Sequence, residues 1–238
     1  YYTQLIRSRV TKNMIKTFWF DYNAIKQGES RPKGYGKFRP KKVGVIGAGM
    51  MGSGIALSCL DNGMEVILKD VSKLIAARGK GFVERKLQEQ VDRHEISPAE
   101  KKQTLQRIQT TETATDFETC DLVIEAVFEN QMVKQKVTRE AEEFMDEYSF
   151  IASNTVSIPI TKLSEVHLRP ENYIGLHFFH PAETVPLVEI IRGEKTTDET
   201  VARAFDFVRA IRKTPILAKD TWGFYAARVQ NTYVLEGI

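Results

Sequence analysis

Residues 41–55 read KKVGVIGAGMMGSGI, a stretch in which a short apolar run meets a glycine-rich turn. The run at 43–46 is rich in β-branched residues, as is typical of a strand buried on both faces. The glycines follow with GxGxxG spacing: the first permits a tight turn, the second lets backbone approach a pyrophosphate, and the third lets a helix pack closely on the strand. The stretch therefore predicts a bound dinucleotide. The predicted contacts are Gly47, Gly49, Met50, Met51 and Gly52.

The residues after the turn supply the context that this motif needs. A helical apolar pattern is followed by a second strand pattern at 65–68, which leads to Asp70. This acid lies about twenty residues beyond the glycines, where a carboxylate accepts hydrogen bonds from the adenosine ribose. Because it would also repel a 2′-phosphate, Asp70 favours NAD over NADP as the cofactor. A flavodoxin-like or purely structural βαβ unit is the alternative.

Composition excludes several other classes of protein. The formal net charge of 238 residues is only +3, which gives no reason to expect a nucleic-acid partner. Cys59 and Cys120 are far apart and form no CxxC motif, so we expect neither a disulfide framework nor a metal site. No apolar stretch is long enough to span a bilayer and no signal peptide is evident. The predicted compartment is the cytoplasm, with a mitochondrion or a peroxisome as alternatives.

The first 40 residues are predicted to be a connection that follows an absent upstream domain. Residues 11–27 have a helical pattern with one large apolar face, which we expect to pack on that domain; a membrane-bound helix is the alternative. Residues 28–42, GESRPKGYGKFRPKK, have the composition of an exposed basic linker. Its charges indicate either a solvated tether or attraction for a polyphosphate ligand. The apolar face comprises Met14, Ile15, Phe18, Trp19 and Tyr22.

Strand and helix patterns alternate through the rest of the chain. The predicted fold is an α/β, doubly wound, Rossmann-type and mostly parallel sheet with a helical-hairpin insertion and a C-terminal antiparallel hairpin. The insertion comprises helices at 73–92 and 98–107, the second begun by a capping box at Ser97. The predicted domains are 41–219, which binds NAD, and 220–238, the truncated start of a helical domain. Further strands are expected at 108–111, 121–127, 150–153 and 215–218, and further helices at 132–147 and 198–211.

The C-terminal hairpin carries the predicted chemistry. Its strands, IGLHFF and VPLVEII, are separated only by HPAET, which is too short for a crossover helix, so they must be antiparallel. If Phe179 and Val185 close the hairpin, His177 faces Leu187, and Glu189 is its diagonal neighbour on the same face. A histidine oriented by a carboxylate is the general base that alcohol oxidation requires. The alternative is that this pair only satisfies its own hydrogen bonds at a sheet edge.

Seven ordered motifs together resemble the L-3-hydroxyacyl-CoA dehydrogenases, in particular the dehydrogenase part of multifunctional fatty-acid β-oxidation proteins. They are GAGMMGSGIA, VILKD, DLVIEAVFEN, ASNT, GLHFFHP, PLVEIIRGEKT and KDTWGF. The resemblance implies NAD-dependent oxidation of an L-3-hydroxyacyl-CoA to the 3-ketoacyl-CoA, with the helical hairpin helping to hold the CoA. It also implies a larger multidomain chain and a homodimer formed through a C-terminal helical domain. The implied roles are His177 as catalytic base, Glu189 as its partner, and Glu129, Lys134 and Asn154 as cofactor contacts.

Several positions depart from the pattern of that family. Where the family usually has a substrate-binding serine after ASNT, this chain has Val156, and Ala227 stands where an asparagine is common. A lost donor of this kind costs about 2.7–4 kcal/mol in comparable sites. The alternatives are therefore a catalytically impaired NAD- or acyl-CoA-binding module, or another NAD enzyme such as a 6-phosphogluconate-type or nucleotide-sugar dehydrogenase. Substrate contacts are predicted at Ser153, Ser157 and His180.

Overall fold

The fold is a single twisted sheet with helices on both faces, described by the computed structural model for residues 1–237. Within them the strand order is β3-β2-β1-β4-β5-β6-β7-β8, and each neighbouring pair is parallel except β6 and β7. The predicted doubly wound sheet with an antiparallel hairpin is confirmed. The strands are β1 Lys42–Ile46, β2 Glu65–Lys69, β3 Ile108–Thr111, β4 Leu122–Glu125, β5 Phe150–Ser153, β6 Tyr173–Phe178, β7 Leu187–Arg192 and β8 Thr214–Lys219.

The helices cover the sheet in two layers and enclose two apolar cores. One core joins α4, α5 and α9 to one face, and the other joins α7 and α8 to the opposite face. The predicted helical hairpin is present as α5 and α6, and the capping box at Ser97 forms. The helices are α1 Tyr2–Arg7, α2 Arg9–Ile15, α3 Tyr22–Gln27, α4 Met50–Asp61, α5 Lys73–Asp92, α6 Pro98–Gln106, α7 Gln131–Glu142, α8 Ile160–Ser164, α9 Asp198–Ala210 and α10 Ala226–Glu236.

The predicted register of the antiparallel hairpin is wrong by two residues. His177 pairs directly with Glu189, not with Leu187, and pairing stops at Phe178. The connection is longer than HPAET because Thr184 and Val185 donate their N–H groups to the Pro181 carbonyl, closing a separate turn. A slip of two residues leaves every side chain on its predicted face, since the period of a strand is two. His177 and Glu189 are thus brought closer than the prediction required.

Two other elements end earlier than predicted. The strand expected at 121–127 stops at Glu125. There the Val127 N–H donates to the Glu125 side chain at 2.6 Å and draws the chain out of the ladder. The helix expected at 132–147 ends at Glu142, where the Phe144 N–H bonds to the Ala141 carbonyl in a tighter turn.

The segment before β1 is fastened to the domain by one arginine. Arg31 donates from Nε and Nη2 to both carboxylate oxygens of Asp206 on α9, at 2.9 and 2.8 Å, and its other donors bind nearby backbone carbonyls. Phe38 adds a backbone hydrogen bond to Asp206 and an edge contact to Phe150. The hypothesis of a solvated tether is therefore wrong at these positions. Arg31 and Lys37 form ion pairs with Asp206. These two residues therefore give no support to the hypothesis that the linker attracts a polyphosphate ligand.

Arg31→Ala is expected to lower the free energy of unfolding by about 3 kcal/mol, because it leaves the Asp206 carboxylate buried without its main partner. The two side chains are only 9% and 6% exposed. Urea denaturation monitored by circular dichroism measures the change. Lys37→Ala is the matched control, since Lys37 also contacts Asp206 but is 66% exposed. Equal losses of unfolding free energy in the two variants would show that the buried Arg31–Asp206 ion pair does not contribute more than the exposed contact of Lys37.

The apolar face predicted for residues 11–27 is exposed. The helical run continues from α2 through a π-helical stretch at Lys16–Asp21 into α3. Phe18 and Trp19 are 71% and 65% exposed. None of the helices within residues 1–237 is long and apolar enough to cross a membrane. That this face packs on another domain stays a prediction.

Glu142, the last residue of α7, ties that helix to the loop before β6. Its carboxylate accepts hydrogen bonds from the His167 ring and from the Leu168 and Arg169 N–H groups, at 3.1, 2.9 and 2.8 Å. Partial burial opposes ionisation of this group, but the hydrogen bonds outweigh it and lower the pKa of Glu142 to about 2.

A depressed pKa of this kind makes stability depend on pH. The contribution of Glu142 is fully present above the pKa of an unfolded glutamate and is lost as pH falls towards the folded value. We therefore expect the unfolding free energy to drop between about pH 5 and pH 2, and to drop less in Glu142→Gln. Denaturant titrations across this pH range measure the unfolding free energy of both proteins. Parallel pH profiles for the wild type and Glu142→Gln would show that Glu142 is not the source of the pH dependence.

Candidate active site

The glycine-rich turn has the geometry that a pyrophosphate cradle needs. Gly47 has a φ of +99°, and a Cβ at Gly52 would lie 1.8 Å from the Gly47 carbonyl oxygen, so α4 packs directly on the turn. A Cβ at Gly49 would meet no heavy atom within 4 Å, so this glycine borders open space. No side chain caps the α4 N-terminus, which leaves its N–H groups and positive dipole end for an anion.

Asp70 follows β2 and lies beside this turn. One carboxylate oxygen accepts from the Ala48 N–H at 2.6 Å and the other from the Val71 N–H at 2.7 Å. The carboxylate is therefore fixed next to the cradle, at the carboxyl end of the strand that neighbours β1. This is the place from which an acid reaches an adenosine ribose.

A buried charge cluster lies at the carboxyl end of β4. Lys134 is 1% exposed, and its Nζ donates to Glu125 at 2.9 Å and to the Val127 carbonyl at 3.3 Å, and lies 3.2 Å from Glu129. The three donors of this ammonium are thus all used inside the protein. Glu129 is 34% exposed and is the member of the cluster that reaches the surface.

Glu129 also holds the loop that follows β5. Its Oε1 accepts from the Thr155 hydroxyl at 2.6 Å, from the Val156 and Ser157 N–H groups at 3.0 and 3.1 Å, and from the Ser157 hydroxyl. Partial burial opposes ionisation of this carboxyl, but the Thr155 hydrogen bond and the Lys134 charge lower the pKa of Glu129. Glu129 is therefore ionised at neutral pH.

The residues predicted to bind ligands around this loop lie in different surroundings in the structure. Ser153 is fully buried and donates to Glu125 at 2.6 Å, so its hydroxyl is directed into the interior. The Asn154 side-chain oxygen accepts from the Phe178 N–H at 2.8 Å and joins the loop to the end of β6. The Val156 side chain is 47% exposed and offers no donor. His180 is exposed on the connection between β6 and β7.

His177 and Glu189 form a buried, directly hydrogen-bonded pair. His177 Nδ1 lies 2.6 Å from Glu189 Oε2, and among the described residues Nε2 has no hydrogen-bond partner. The imidazole lies 4.6 Å from the Phe179 ring and 6.0 Å from the Phe224 ring, centre to centre. A carboxylate that accepts from Nδ1 leaves Nε2 as the basic nitrogen.

The carboxylate of this pair also fixes the start of α10. Glu189 Oε1 accepts from the Ala226 N–H at 2.9 Å. Burial opposes ionisation of Glu189, yet the His177 hydrogen bond and the backbone donors outweigh it and lower its pKa. Glu189 therefore stays ionised at neutral pH and can stabilise a charged imidazole. The sequence indicated the pair but not its link to α10.

The site occupies the carboxyl edge of the parallel strands. Asp70 lies beyond β2, Gly47 beyond β1, Glu129 beyond β4, Asn154 beyond β5 and His177 near the end of β6. Ligands of open α/β sheets bind outside this edge, where the strand order reverses, which is between β1 and β4. Glu125 was not predicted from the sequence as a member of this site. An acidic residue at the end of the apolar strand LVIE was the signal that could have identified it.

These features define a dinucleotide-binding domain of the dehydrogenase class. A family model described as 3-hydroxyacyl-CoA dehydrogenase, NAD binding domain, matches residues 42–221, and the chain belongs to that family. The cofactor of the domain is accordingly NAD, and the open turn at Gly49 and the carboxylate of Asp70 agree with it.

Relatives and solved structures agree with this membership. The fatty acid oxidation complex subunit alpha of Acinetobacter baumannii strain SDF is 42% identical over 192 residues, which is 81% of this chain and 27% of that protein. The chain thus spans about a quarter of the length of these curated relatives. The crystal structure of (S)-3-hydroxybutyryl-CoA dehydrogenase PaaH1 from Ralstonia eutropha is 36% identical, has a TM-score of 0.81, and aligns over 83% of this chain and 70% of its own. The dehydrogenase part of multifunctional enzyme 1 from C. elegans is 27% identical, with a TM-score of 0.69 and coverage of 77% and 42%.

Proposed function

We propose that the protein oxidises L-3-hydroxyacyl-CoA to 3-ketoacyl-CoA with NAD, as one domain of a larger fatty-acid oxidation protein. The observation that carries this proposal is the 2.6 Å contact between His177 Nδ1 and Glu189, placed at the same sheet edge as the glycine-rich turn. The relatives named as subunits of a fatty acid oxidation complex support the pathway and the multidomain arrangement.

The chain's own residues supply binding and proton transfer. Gly47, Gly49 and Gly52 with Met50 and Met51 form the cradle for the pyrophosphate, and Asp70 binds the ribose. Bound NAD supplies the hydride acceptor. His177 Nε2 takes the hydroxyl proton as the carbon is oxidised, while ionised Glu189 holds Nδ1–H and stabilises the imidazolium. Burial of the pair excludes water and strengthens this interaction.

Substrate contacts are proposed at the loop after β5 and at the hairpin. Ser157 and exposed His180 remain in the proposed set, whereas Ser153 is committed to Glu125. The Val156 side chain has no hydrogen-bond donor, and the Val156 N–H already donates to Glu129. The site therefore lacks the side-chain donor that the serine of the family pattern supplies. The helical hairpin of α5 and α6 is proposed to hold the CoA. We propose that the larger protein forms a homodimer and lies in the cytoplasm, the latter in agreement with its bacterial relatives.

The competing candidate is a binding module that holds NAD or acyl-CoA without turnover, which the side chain of Val156 favours. A steady-state assay with (S)-3-hydroxybutyryl-CoA and NAD, monitored by NADH absorbance, separates the two. We expect NADH formation with this enantiomer and none with the opposite one. Binding of NADH and of acyl-CoA by calorimetry, without NADH formation, would support the module instead.

A further inference from the structure

A buried lysine directly before β8 takes no part in the mechanism proposed above. Lys213 is 8% exposed, its Nζ donates to the Val185 carbonyl at 2.7 Å, and it forms no ion pair within residues 1–237. Lysine is almost never buried this far unless it is paired, and burial lowers the pKa of Lys213. Burial of this side chain therefore costs free energy, which indicates a role for its hydrogen bond to Val185.

This hydrogen bond fixes the connection between β6 and β7, residues 179–186, which carries His180. Since β7 and β8 run opposite to β6, the start of β8 lies at the edge of the sheet where β6 ends. Val185 itself donates its N–H to the Pro181 carbonyl and closes the turn that begins immediately after His180. Lys213 thus holds the far end of a turn whose near end presents His180.

Two further contacts hold the same connection on the body of the domain. The Thr214 N–H donates to the Pro186 carbonyl at 2.6 Å. On the other side, the Ser58 hydroxyl of α4 shares its proton between the Gly54 carbonyl at 3.1 Å and the Ala182 carbonyl at 3.3 Å. A Cβ at Gly54 would lie 3.1 Å from the Ala182 Cβ, so α4 and the connection pack closely. Among the side-chain anchors, Lys213 makes the shorter hydrogen bond.

The catalytic pair is held independently of this connection. His177 pairs with Glu189 in the ladder between β6 and β7, and the Phe178 N–H donates to the Asn154 side chain at 2.8 Å. The ladder ends at Phe178, so the connection begins beyond the fixed end of β6. A displacement of the connection therefore moves His180 and leaves the hydrogen bond between His177 and Glu189 in place.

We propose that Lys213 is a positioning residue for the acyl-CoA, which holds the Val185 carbonyl and thereby fixes the turn that presents His180 to the substrate. This inference rests on the proposed function, in which His180 contacts the substrate. When a binding group is no longer fixed, only a fraction of the protein molecules has the competent arrangement, and the apparent affinity falls by that fraction. Lys213 therefore acts on substrate binding and not on proton transfer.

Lys213→Met tests the proposal, because it removes the donor and keeps an unbranched side chain that suits a buried site. We expect KM for acetoacetyl-CoA, in its reduction by NADH, to rise about tenfold, as when about one molecule in ten keeps the competent arrangement. We expect kcat to change by less than about twofold, which is the pattern of lost ground-state binding. The dissociation constant for NADH should be unchanged. Steady-state kinetics and calorimetric titration with NADH measure these constants.

Three further variants make the result specific. Lys219→Met removes the same side chain from the exposed end of β8 and is expected to leave KM unchanged. Lys213→Arg keeps a cationic donor and is expected to give a KM between those of the wild type and Lys213→Met. Ser58→Ala removes the longer side-chain contact with the connection and is expected to raise KM about two- to threefold, since a shared neutral hydrogen bond contributes little. Ser58→Ala decides the question should Lys213→Met fail to fold.

Two outcomes would overturn the proposal. One is an unchanged KM in the folded variants, and the other is a lower kcat at unchanged KM, which would show that Lys213 only stabilises the fold. If the wild-type protein does not reduce acetoacetyl-CoA, the proposed reaction fails. Calorimetric titration with acetoacetyl-CoA then tests this inference by itself, since Lys213→Met should still weaken binding about tenfold. A wild-type protein that binds no acetoacetyl-CoA would overturn both the proposed function and this inference.

Discussion

His177→Gln is expected to lower kcat for L-3-hydroxyacyl-CoA oxidation by about 10²–10⁴, because it removes the general base. Glutamine can accept no proton at neutral pH, although it can still donate a hydrogen bond to Glu189. The buried carboxylate therefore keeps a partner, and we expect the fold to survive. Initial rates of NADH formation at saturating substrate measure the effect.

Two controls make the result specific to proton transfer. NADH affinity should be unchanged, since His177 lies at β6 and the cradle lies at β1. His94→Gln, in the turn between α5 and α6, should keep the wild-type kcat at saturating substrate, because this histidine is exposed and far along the chain from the pair. A His177→Gln protein that retains the wild-type rate would show that the pair is only a structural contact at the sheet edge.

Gly52→Ala is expected to remove NAD binding and to destabilise the fold. The added methyl group would lie 1.8 Å from the Gly47 carbonyl oxygen, and backbone at that distance must move. Forcing α4 away from the turn costs about 1–3 kcal/mol, as in other overpacked interiors. It also displaces the helix N-terminus that receives the pyrophosphate. Thermal unfolding and calorimetric titration with NADH measure the two effects.

Gly49→Ala separates cofactor binding from folding. Its methyl group would meet no protein atom within 4 Å, and the φ of −72° is one that alanine adopts freely. We therefore expect unchanged or slightly higher thermal stability together with at least tenfold weaker NADH binding, because the methyl group would occupy space that the pyrophosphate needs; a tenfold change corresponds to about 1.4 kcal/mol. Unimpaired NADH binding by this variant would show that the pyrophosphate does not lie at this glycine.

The parts of the fold that could be predicted depend on local patterns. The stretch at 41–55 contains a strand, its turn and the start of α4 in consecutive residues, so the glycine spacing reports the structure directly. The capping box at Ser97 is equally local, because both partners lie within one helical turn. The antiparallel hairpin followed from the length of its connection, and the shared face of His177 and Glu189 followed from the period of a strand.

The parts that could not be predicted depend on partners distant in sequence. Arg31 is hydrogen-bonded to Asp206, which lies 175 positions away in the sequence. The composition of residues 28–42, which resembles that of a linker, does not indicate this partner. The hairpin register was missed because it is set by the turn that begins at Pro181. Glu189 gains the Ala226 N–H from a helix 37 residues away. The burial of Lys134 was not predicted, because lysine is rarely buried unless it is paired.

The most direct test of the central claim is a single-turnover reaction in which the protein with bound NADH is mixed with acetoacetyl-CoA and NADH absorbance is followed. If the glycine-rich turn presents the cofactor to the His177–Glu189 pair, the bound NADH is consumed, and His177→Gln slows its loss by about 10²–10⁴. Tight binding of NADH with no loss of absorbance after acetoacetyl-CoA is added would contradict the account.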